Sequence, residues 1–375
     1  MSTLGLYLHI PFCVKKCNYC DFLSFSAKEA QKDEYVKALA MEMRLWKDKV
    51  SNDVVDTIFI GGGTPSLLTE GQFDILQNEM VKSFHLSDKM EYTIECNPGT
   101  VDAEKLKNYK RAGVNRISFG LQSTISSELT CLGRIHSYDD FLVSFHQARE
   151  CGFTNINVDL MSAIPEQTVA GYEQTLTRVC ELSPEHISSY SLILEEGTPF
   201  YEKYGDCPPV SEEEDRQMYE LTKEKLSDFG YHRYEISNYA KEGQECDHNK
   251  KYWKRFPYLG LGLGASSCMQ NVRFSNERNF KTYGQKIKNG KLPVVEKEEL
   301  TKEDCMAEFM YLGLRMMEGV SKKMFYQNFL VPMETYYQSS LEKCIREGLI
   351  KENGDRYCLT DFGIDVSNRV FAEFI

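Results

Sequence analysis

The sequence predicts an α/β fold, a partial (β/α)6 barrel followed by a smaller C-terminal α+β domain that resembles a winged helix. Short β-rich runs alternate with longer helical patterns up to about residue 235, which predicts a parallel sheet. From about residue 300 the pattern changes to helices followed by a tight hairpin. The length of 375 residues also favours a large domain with a smaller one. We therefore divide the chain into a core (1–235), a connecting region (236–299) and a C-terminal domain (300–375).

Six strands are predicted in the core, because most of these runs carry β-branched or aromatic residues and end in Gly, Pro or polar residues. They are Leu4–Ile10, Val54–Ile60, Glu91–Cys96, Arg116–Gly120, Asn155–Leu160 and Ile187–Leu192. The helices between them are predicted at Lys28–Val50, Thr69–Phe84, Asp102–Ala112, Tyr138–Cys151 and Val169–Leu182. Gly113 and Gly152 stand where helix C-caps are expected. In barrels of this kind the site lies at the carboxyl ends of the strands, so the residues after each strand are the candidates.

The later regions are less regular. The connecting region is rich in Gly and aromatic residues, most clearly at 258–264, and shows few clear helices. In the C-terminal domain, two short β runs flank Gly354-Asp355 and predict a hairpin with a tight turn.

Composition favours an ordinary cytoplasmic protein. The net charge of −12 and the pI of about 5.3 argue against a nucleic-acid-binding surface, which needs a basic footprint. No stretch approaches the roughly 20 apolar residues of a membrane span. The N-terminus shows no secretory signal. Peripheral contact with a membrane is left open.

The 13 cysteines fall into two groups. Ten are scattered singly from Cys96 to Cys358, which is typical of buried or inert thiols. Cys13, Cys17 and Cys20 instead follow the first predicted strand as a Cys-x3-Cys-x2-Cys loop. Three thiolates on one loop suit three corners of a [4Fe–4S] cluster and leave the fourth iron open to a small chelator. A zinc site is the alternative, but zinc usually needs four ligands in two paired spacings, and no partner pair follows.

Glycine and polar residues follow the later strands. Gly61-Gly62-Gly63-Thr64-Pro65 comes after the second strand, where glycines let the backbone approach a ligand closely. Glu95 ends the third strand, Gln122 follows the fourth, Arg134 lies in the next connection and Asp159 lies near the end of the fifth. Each alone is typical of a structural polar residue. Together they are predicted to surround one crevice at the strand ends.

The cysteine spacing resembles that of the radical SAM superfamily. The opening Tyr7-Leu8-His9-Ile10-Pro11-Phe12-Cys13 further resembles oxygen-independent coproporphyrinogen III dehydrogenases and their relatives, the HemW-type heme chaperones, over nearly the whole chain. The resemblance implies that S-adenosylmethionine (SAM) chelates the open iron and that reduction cleaves it to a 5′-deoxyadenosyl radical. It also implies a set of SAM-binding residues, namely Tyr7, Tyr19 (beside the adenine), Gly62, Gly63, Thr64, Glu95, Gln122, Arg134 and Asp159.

Two features separate the branches of this group. The dehydrogenases carry a fourth cysteine two residues after the third, where this chain has Phe22, and they have a longer N-terminal extension. Conversely, residues 248–253 (His-Asn-Lys-Lys-Tyr-Trp) reproduce the His-Asn-x-x-Tyr-Trp motif linked to heme in the chaperone branch.

An imidazole can ligate iron, and the rings of Tyr252 and Trp253 offer flat apolar surface to a macrocycle. From the residues alone, a hydrogen-bonded core histidine is the simpler interpretation of His248. The resemblance implies that His248 is an axial heme ligand. Cys207-Pro208 also resembles a minimal heme-binding dipeptide, although such pairs are common in loops.

The resulting hypothesis is a heme chaperone that binds one heme and passes it to acceptor proteins, with respiratory proteins among the candidates. The cluster and SAM would then have a structural or regulatory role. The alternative is SAM-dependent oxidative decarboxylation of coproporphyrinogen III, and a third interpretation is a radical SAM enzyme with another substrate. The sequence assigns no catalytic residue, and it leaves open the acceptor, the cleavage of SAM and a homodimer.

Overall fold

The computed structural model describes residues 2–205 and 207–375. Its main sheet contains six parallel strands that follow each other in chain order, which confirms the predicted α/β architecture. These strands are β1 (Ser2–Ile10), β2 (Asp53–Gly62), β3 (His85–Cys96), β4 (Arg116–Gln122), β5 (Ile156–Ser162) and β6 (His186–Ser191). The main departure is β3, which begins at His85 rather than at Glu91.

Helices connect the strands, as expected from a β/α alternation. Those of the core are α1 (Glu29–Trp46), α2 (Glu70–Ser83), α3 (Ala103–Arg111), α4 (Ser126–Leu132), α5 (Tyr138–Glu150), α6 (Val169–Glu181), α7 (Pro199–Tyr204) and α8 (Glu212–Asp228). The sequence did not predict α4, α7 and α8. Gly113 and Gly152 follow α3 and α5 with φ of 97° and 85°, the left-handed backbone of a helix C-cap.

The connecting region extends the main sheet at both edges. Its elements are β7 (His232–Arg233), β8 (Asn238–Ala240), α9 (Asp247–Trp253), β9 (Tyr258–Leu261), β10 (Ser266–Met269), β11 (Val272–Asn276), α10 (Phe280–Lys288) and β12 (Val294–Glu299). The full strand order is β12-β11-β10-β9-β1-β2-β3-β4-β5-β6-β8-β7. Because β9 pairs with β1 and β8 pairs with β6, the segment between them crosses from one edge of the six parallel strands to the other.

Helix α9 lies in that crossing segment and packs against β2. The Glu91 carboxylate in β3 accepts hydrogen bonds from the backbone N–H groups of Asp247 (2.9 Å) and His248 (3.0 Å) at the start of α9. The Lys251 ammonium forms an ion pair with Asp56 at 2.7 Å. These contacts fix α9 against β2 and β3.

The C-terminal domain has its own hydrophobic cluster, formed by residues between Cys305 and Phe374. It contains α11 (Lys302–Gly313), β13 (Val320–Ser321), α12 (Lys322–Phe329), α13 (Met333–Arg346), β14 (Ile350–Asn353), β15 (Arg356–Leu359), α14 (Asp361–Asp365) and α15 (Ser367–Phe371). Strands β14 and β15 form the predicted hairpin. The boundaries drawn at residues 235 and 299 stay predictions. None of the helices in the described residues combines the length and the apolar character that crossing a membrane requires.

Candidate functional site

The cysteine loop covers the carboxyl end of β1 and is fastened at both sides. The backbone N–H of Cys13 donates to the carbonyl of Phe25 (3.1 Å), and that of Phe25 donates to the carbonyl of Pro11 (2.8 Å). Farther along, the backbone N–H of Asn18 donates to the carbonyl of Leu132 at the end of α4 (3.0 Å). The loop is therefore held in one place before any ligand binds.

Cys13, Cys17 and Cys20 are half-buried, and all three line one cavity. The Thr64 hydroxyl donates to Cys13 Sγ (3.7 Å), and Arg134 Nη1 donates to Cys17 Sγ (3.6 Å). Burial raises the pKa of the Cys20 thiol. Two of the three sulfurs thus face donors that would stabilise a metal-bound thiolate.

This arrangement suits a cluster. Within residues 2–205 and 207–375, no three His, Cys, Asp or Glu side chains stand close enough together to hold a single ion. A cubane takes each thiolate on a different iron, so its cysteine sulfurs need not converge on one point. The three thiols and their donors therefore fit the predicted [4Fe–4S] group.

The glycine segment after β2 is joined to the base of the cysteine loop. The Thr64 N–H donates to the carbonyl of Phe12 (2.7 Å). A Cβ atom on Gly63 would lie 2.7 Å from the same carbonyl oxygen. Gly62 has φ of 107°, and a Cβ there would lie 2.4 Å from the ring of His9. Only glycine fits these two positions, because a side chain would collide with the His9 ring or with the backbone of Phe12.

Two half-buried carboxyl groups lie in the cavity. Burial, followed by repulsion from Asp159, raises the pKa of Glu95 to about 8, although the Gly62 N–H donates to Glu95 (3.0 Å). Burial also raises the pKa of Asp159, against hydrogen bonds from Asn157 Nδ2 (2.7 Å) and Ser118 Oγ (3.4 Å). A carboxyl group whose pKa is raised by burial and by a neighbouring acid favours a ligand that brings positive charge.

Arg134 and Gln122 complete the wall of this cavity. Arg134 Nη2 donates to Asn97 Oδ1 (2.7 Å), and Asn97 Nδ2 donates to the Thr64 hydroxyl (2.8 Å). Gln122 accepts a hydrogen bond from the Tyr190 hydroxyl (3.1 Å) and has φ of 74°. A non-glycine residue whose backbone is held in the left-handed region is strained, and such residues cluster at functional sites.

The cavity has a volume of about 430 Å³ and contains all the predicted cluster and SAM residues except Tyr7. The residues that it brings together are Cys13, Cys17, Tyr19, Cys20, Gly62, Gly63, Thr64, Glu95, Gln122, Arg134 and Asp159. Tyr7 lines a second cavity of about 400 Å³, which shares Phe22, Gly62 and Glu95 with the first. We call them the cofactor cavity and the second cavity.

The inner part of the cofactor cavity holds residues that the sequence analysis did not single out. Arg116 is only 1% exposed, and its Nε has no hydrogen-bond partner within the described part of the chain. Asn157, Ser188 and Asn249 also line the cavity. Polar residues at alternate positions of the predicted strands, such as Arg116 and Ser118, were the available signal, because alternate strand residues face the same side.

His248 is enclosed in the core and is only 1% exposed. Its Nδ1 lies 2.9 Å from Thr57 Oγ1, and its Nε2 lies 2.8 Å from the Tyr252 hydroxyl. Burial lowers the pKa of His248 to about 3, so the ring is neutral near pH 7. Neither ring nitrogen is free to bind iron in this arrangement. The role of His248 as an axial ligand stays a prediction.

The other motif residues reach different surroundings. Asn249 lines the cofactor cavity, and Tyr252 lines the second cavity. Burial, followed by the nearby Tyr7 hydroxyl, raises the pKa of Tyr252. Trp253 lies toward the C-terminal domain, with the Arg315 guanidinium 4.4 Å from its ring centre.

Two further predicted positions are exposed. Phe22, which replaces the fourth cysteine of the dehydrogenases, is 61% exposed and borders both cavities. Cys207 is exposed in the turn after α7 and lines neither cavity.

Comparisons with known proteins show which families and folds this chain is similar to. Residues 7–179 match the radical SAM superfamily, and residues 300–366 match the HemN C-terminal domain. Heme chaperone HemW of Bacillus subtilis (strain 168) is 39% identical over 374 residues, with 98% of each chain covered. Heme chaperone HemW of Escherichia coli (strain K12) is 35% identical over 381 residues, with 100% of this chain and 99% of that one covered. The solved structure of E. coli coproporphyrinogen III oxidase (HemN), a radical SAM enzyme, shares the fold, with a TM-score of 0.89 at 23% identity over 100% of this chain and 90% of that one.

Proposed function

The chain belongs to the HemW-type heme chaperones of the radical SAM superfamily, and on that premise we propose that it binds heme and passes it to acceptor proteins. The observation that carries this proposal is the position of α9. This helix bears the His-Asn-x-x-Tyr-Trp motif, and it places Asn249 in the cofactor cavity and Tyr252 in the adjoining second cavity. A heme bound at the motif would therefore lie beside the cofactor site.

We further propose that Cys13, Cys17 and Cys20 hold a [4Fe–4S] cluster and that SAM binds beside it. When bound and reduced, such a cluster can cleave SAM to a 5′-deoxyadenosyl radical. The carboxyl groups of Glu95 and Asp159 match the positive charges of SAM, its sulfonium and its ammonium. The remaining predicted SAM residues are Tyr7, Tyr19, Gly62, Gly63, Thr64, Gln122 and Arg134. Donation from Arg134 and Thr64 to the thiolates keeps the loop in place.

The chaperone needs only to hold heme and release it, so exchangeable SAM would have a structural or regulatory part. We propose that the protein acts in the cytoplasm. Respiratory acceptors, peripheral membrane contact and a homodimer stay predictions.

The first experiment tests the cluster. Anaerobic reconstitution should give about four irons and four sulfides per chain, with broad absorbance near ~400 nm. The Cys13→Ala, Cys17→Ala and Cys20→Ala variants should lose this absorbance. Cys151→Ala, a half-buried cysteine outside the cavity, is the matched control and should keep it. A complete cluster in the triple variant would show that the ligands lie elsewhere.

The second experiment separates the chaperone from the dehydrogenase. Reconstituted protein should bind heme at about one per chain, transfer it to an apo-acceptor, and form no protoporphyrinogen from coproporphyrinogen III. Decarboxylation that depends on SAM and a reductant, and is lost in Cys17→Ala, would replace the chaperone proposal with the enzyme. Absence of heme binding would also reject the chaperone.

A further inference from the structure

The second cavity combines aromatic walls with one exposed cation, and His9 and the acidic Asp21 and Glu95 also line it. Tyr7, Tyr252 and Tyr258 line it, and Phe22 is exposed at its border. Arg278 is exposed and also lines it. Within the described part of the chain, the Arg278 guanidinium has no hydrogen-bond or ion-pair partner, whereas its backbone N–H donates to the preceding Glu277 carboxylate.

The motif presents only one side chain to this cavity. His248 is shielded by Thr57 on one ring nitrogen and by Tyr252 on the other. Tyr252 lies between the buried imidazole and the cavity that it lines. Direct ligation by His248 would break one of these hydrogen bonds and require the buried ring to reach the cavity, whereas Tyr252 already lines it.

We propose that the second cavity is the heme site, that the Tyr252 oxygen binds the heme iron, that His248 positions Tyr252, and that Arg278 pairs with a heme propionate. This inference rests on the proposed function and names the site where the cargo binds. Tyrosine is an established axial ligand of heme iron in proteins.

The ligation step balances with the imidazole kept neutral. The O–H bond of Tyr252 breaks, an O–Fe bond forms to ferric heme, and the proton leaves to solvent through the open cavity. The Nε2–H tautomer of His248 then donates to the phenolate oxygen, and its Nδ1 accepts from the Thr57 hydroxyl, so every polar atom of the pair keeps a partner. The hydroxyl is protonated in the free protein, and binding to the ferric iron, a Lewis acid, is what removes the proton.

Heme matches the chemistry of this cavity. Its planar ring can stack on aromatic side chains, which prefer offset or edge contacts. Its propionates are carboxylates, which a guanidinium binds with two parallel hydrogen bonds. Phe22 supplies apolar surface at the position where the dehydrogenases carry a cysteine.

The first test uses the spectrum of ferric heme bound to reconstituted protein. The wild type should show a phenolate-to-iron charge-transfer band and phenolate modes in resonance Raman. Tyr252→Phe should lose both and bind heme at least about tenfold more weakly. His248→Gln, which keeps a similar volume, should retain phenolate ligation with shifted bands. Tyr326→Phe, an exposed tyrosine of α12, is the matched control.

The second test separates Arg278 from general packing. Arg278→Ala should weaken heme binding by about fivefold, as expected for a partly exposed ion pair. The same variant should bind heme dimethyl ester, which lacks the carboxylates, as the wild type does. Lys281→Ala removes an exposed cation on α10 that does not line the cavity and should leave both ligands unaffected.

The outcomes distinguish the two levels of the proposal. If the wild type binds no heme, the proposed function fails. If the wild type binds heme and Tyr252→Phe keeps the wild-type spectrum and affinity, only the Tyr252 ligation is overturned. Loss of an imidazole signature in His248→Gln would assign the iron to His248 instead. An equal loss of heme and ester affinity in Arg278→Ala would remove the propionate contact.

Discussion

In the cofactor cavity, burial changes the protonation of single carboxyl groups. Glu95 has a pKa raised to about 8 by burial and by Asp159, so the free protein holds this carboxyl mostly protonated near pH 7. A bound sulfonium and ammonium would reverse that preference, because a nearby cation favours the carboxylate. SAM is therefore expected to bind with release of a proton.

We predict that Glu95→Gln and Asp159→Asn each weaken SAM binding by about 10- to 100-fold, because a charge-assisted hydrogen bond contributes about 1.5–3 kcal/mol. Calorimetry on reconstituted protein measures the affinity, and iron content and absorbance check that the cluster is intact. Glu150→Gln, an exposed carboxyl at the end of α5, is the matched control. Unchanged affinity in both cavity variants would place the SAM pocket elsewhere.

At the scale of single elements, α1 supports one wall of the second cavity through the buried Glu42. The Glu42 carboxylate accepts hydrogen bonds from the Gly262 N–H (2.8 Å), Asn276 Nδ2 (2.7 Å) and the Tyr283 hydroxyl (2.6 Å). The Tyr35 hydroxyl also accepts from the Leu263 N–H (2.9 Å). The turn between β9 and β10, whose residues Gly264 and Ala265 line the second cavity, is thus fastened to α1.

This acid makes stability depend on pH. Burial raises the pKa of Glu42 from its ordinary value of 4.5 to about 7, against its three hydrogen bonds. The folded state therefore binds a proton that the unfolded state has released, and this stabilisation is lost as pH rises from about 4.5 to about 7. A shift of this size corresponds to about 3 kcal/mol.

We predict that Glu42→Gln removes this pH dependence. Between pH 5 and pH 8, the free energy of unfolding of the wild type should fall by up to about 3 kcal/mol relative to the variant. Urea unfolding of both proteins at several pH values measures the difference, in which all other titrating groups cancel. A difference that is constant over this range would mean that Glu42 does not titrate there.

The strands and helices of the core were predictable because each is long and strongly patterned. The six parallel strands and the helix ends at Gly113 and Gly152 follow from local residue type alone. The connecting strands were not predicted, since most span only two to five residues and are defined by partners far along the chain. Strand β9, for example, exists by pairing with β1.

The site was predictable to a similar extent. Residues at or just after the carboxyl end of a strand, such as Glu95 and Cys13, converge as parallel strand ends must. The surroundings of α9 could not be read from its motif, because they depend on which strands the helix crosses. His248 forms its hydrogen bond with Thr57, and Tyr252 lines the second cavity, only once the sheet has folded.

At the scale of the whole molecule, the C-terminal domain is joined to the barrel at α9. The Glu308 carboxylate in α11 bridges Arg255 (2.7 Å to Nε), which follows α9, and Arg273 in β11. Lys254 forms an ion pair with Glu318 at 2.7 Å. Since α9 also carries Tyr252, the packing of the C-terminal domain supports one wall of the second cavity.

We predict that Glu308→Ala loosens this junction. The variant leaves two guanidinium groups facing each other without their shared carboxylate, and Glu308 is only 5% exposed. Breaking a fully buried pair costs about 3–5 kcal/mol, and the cost here should be roughly 2–3 kcal/mol because the Arg273 side chain is 41% exposed. Limited proteolysis should cut between the core and the C-terminal domain faster than in the wild type, and heme affinity should fall more than SAM affinity.

Glu104→Ala, which breaks the exposed pair with Lys107 on α3, is the control and should change neither the proteolysis rate nor the heme affinity. Wild-type proteolysis and heme binding in Glu308→Ala would show that the domain contact rests on hydrophobic packing instead.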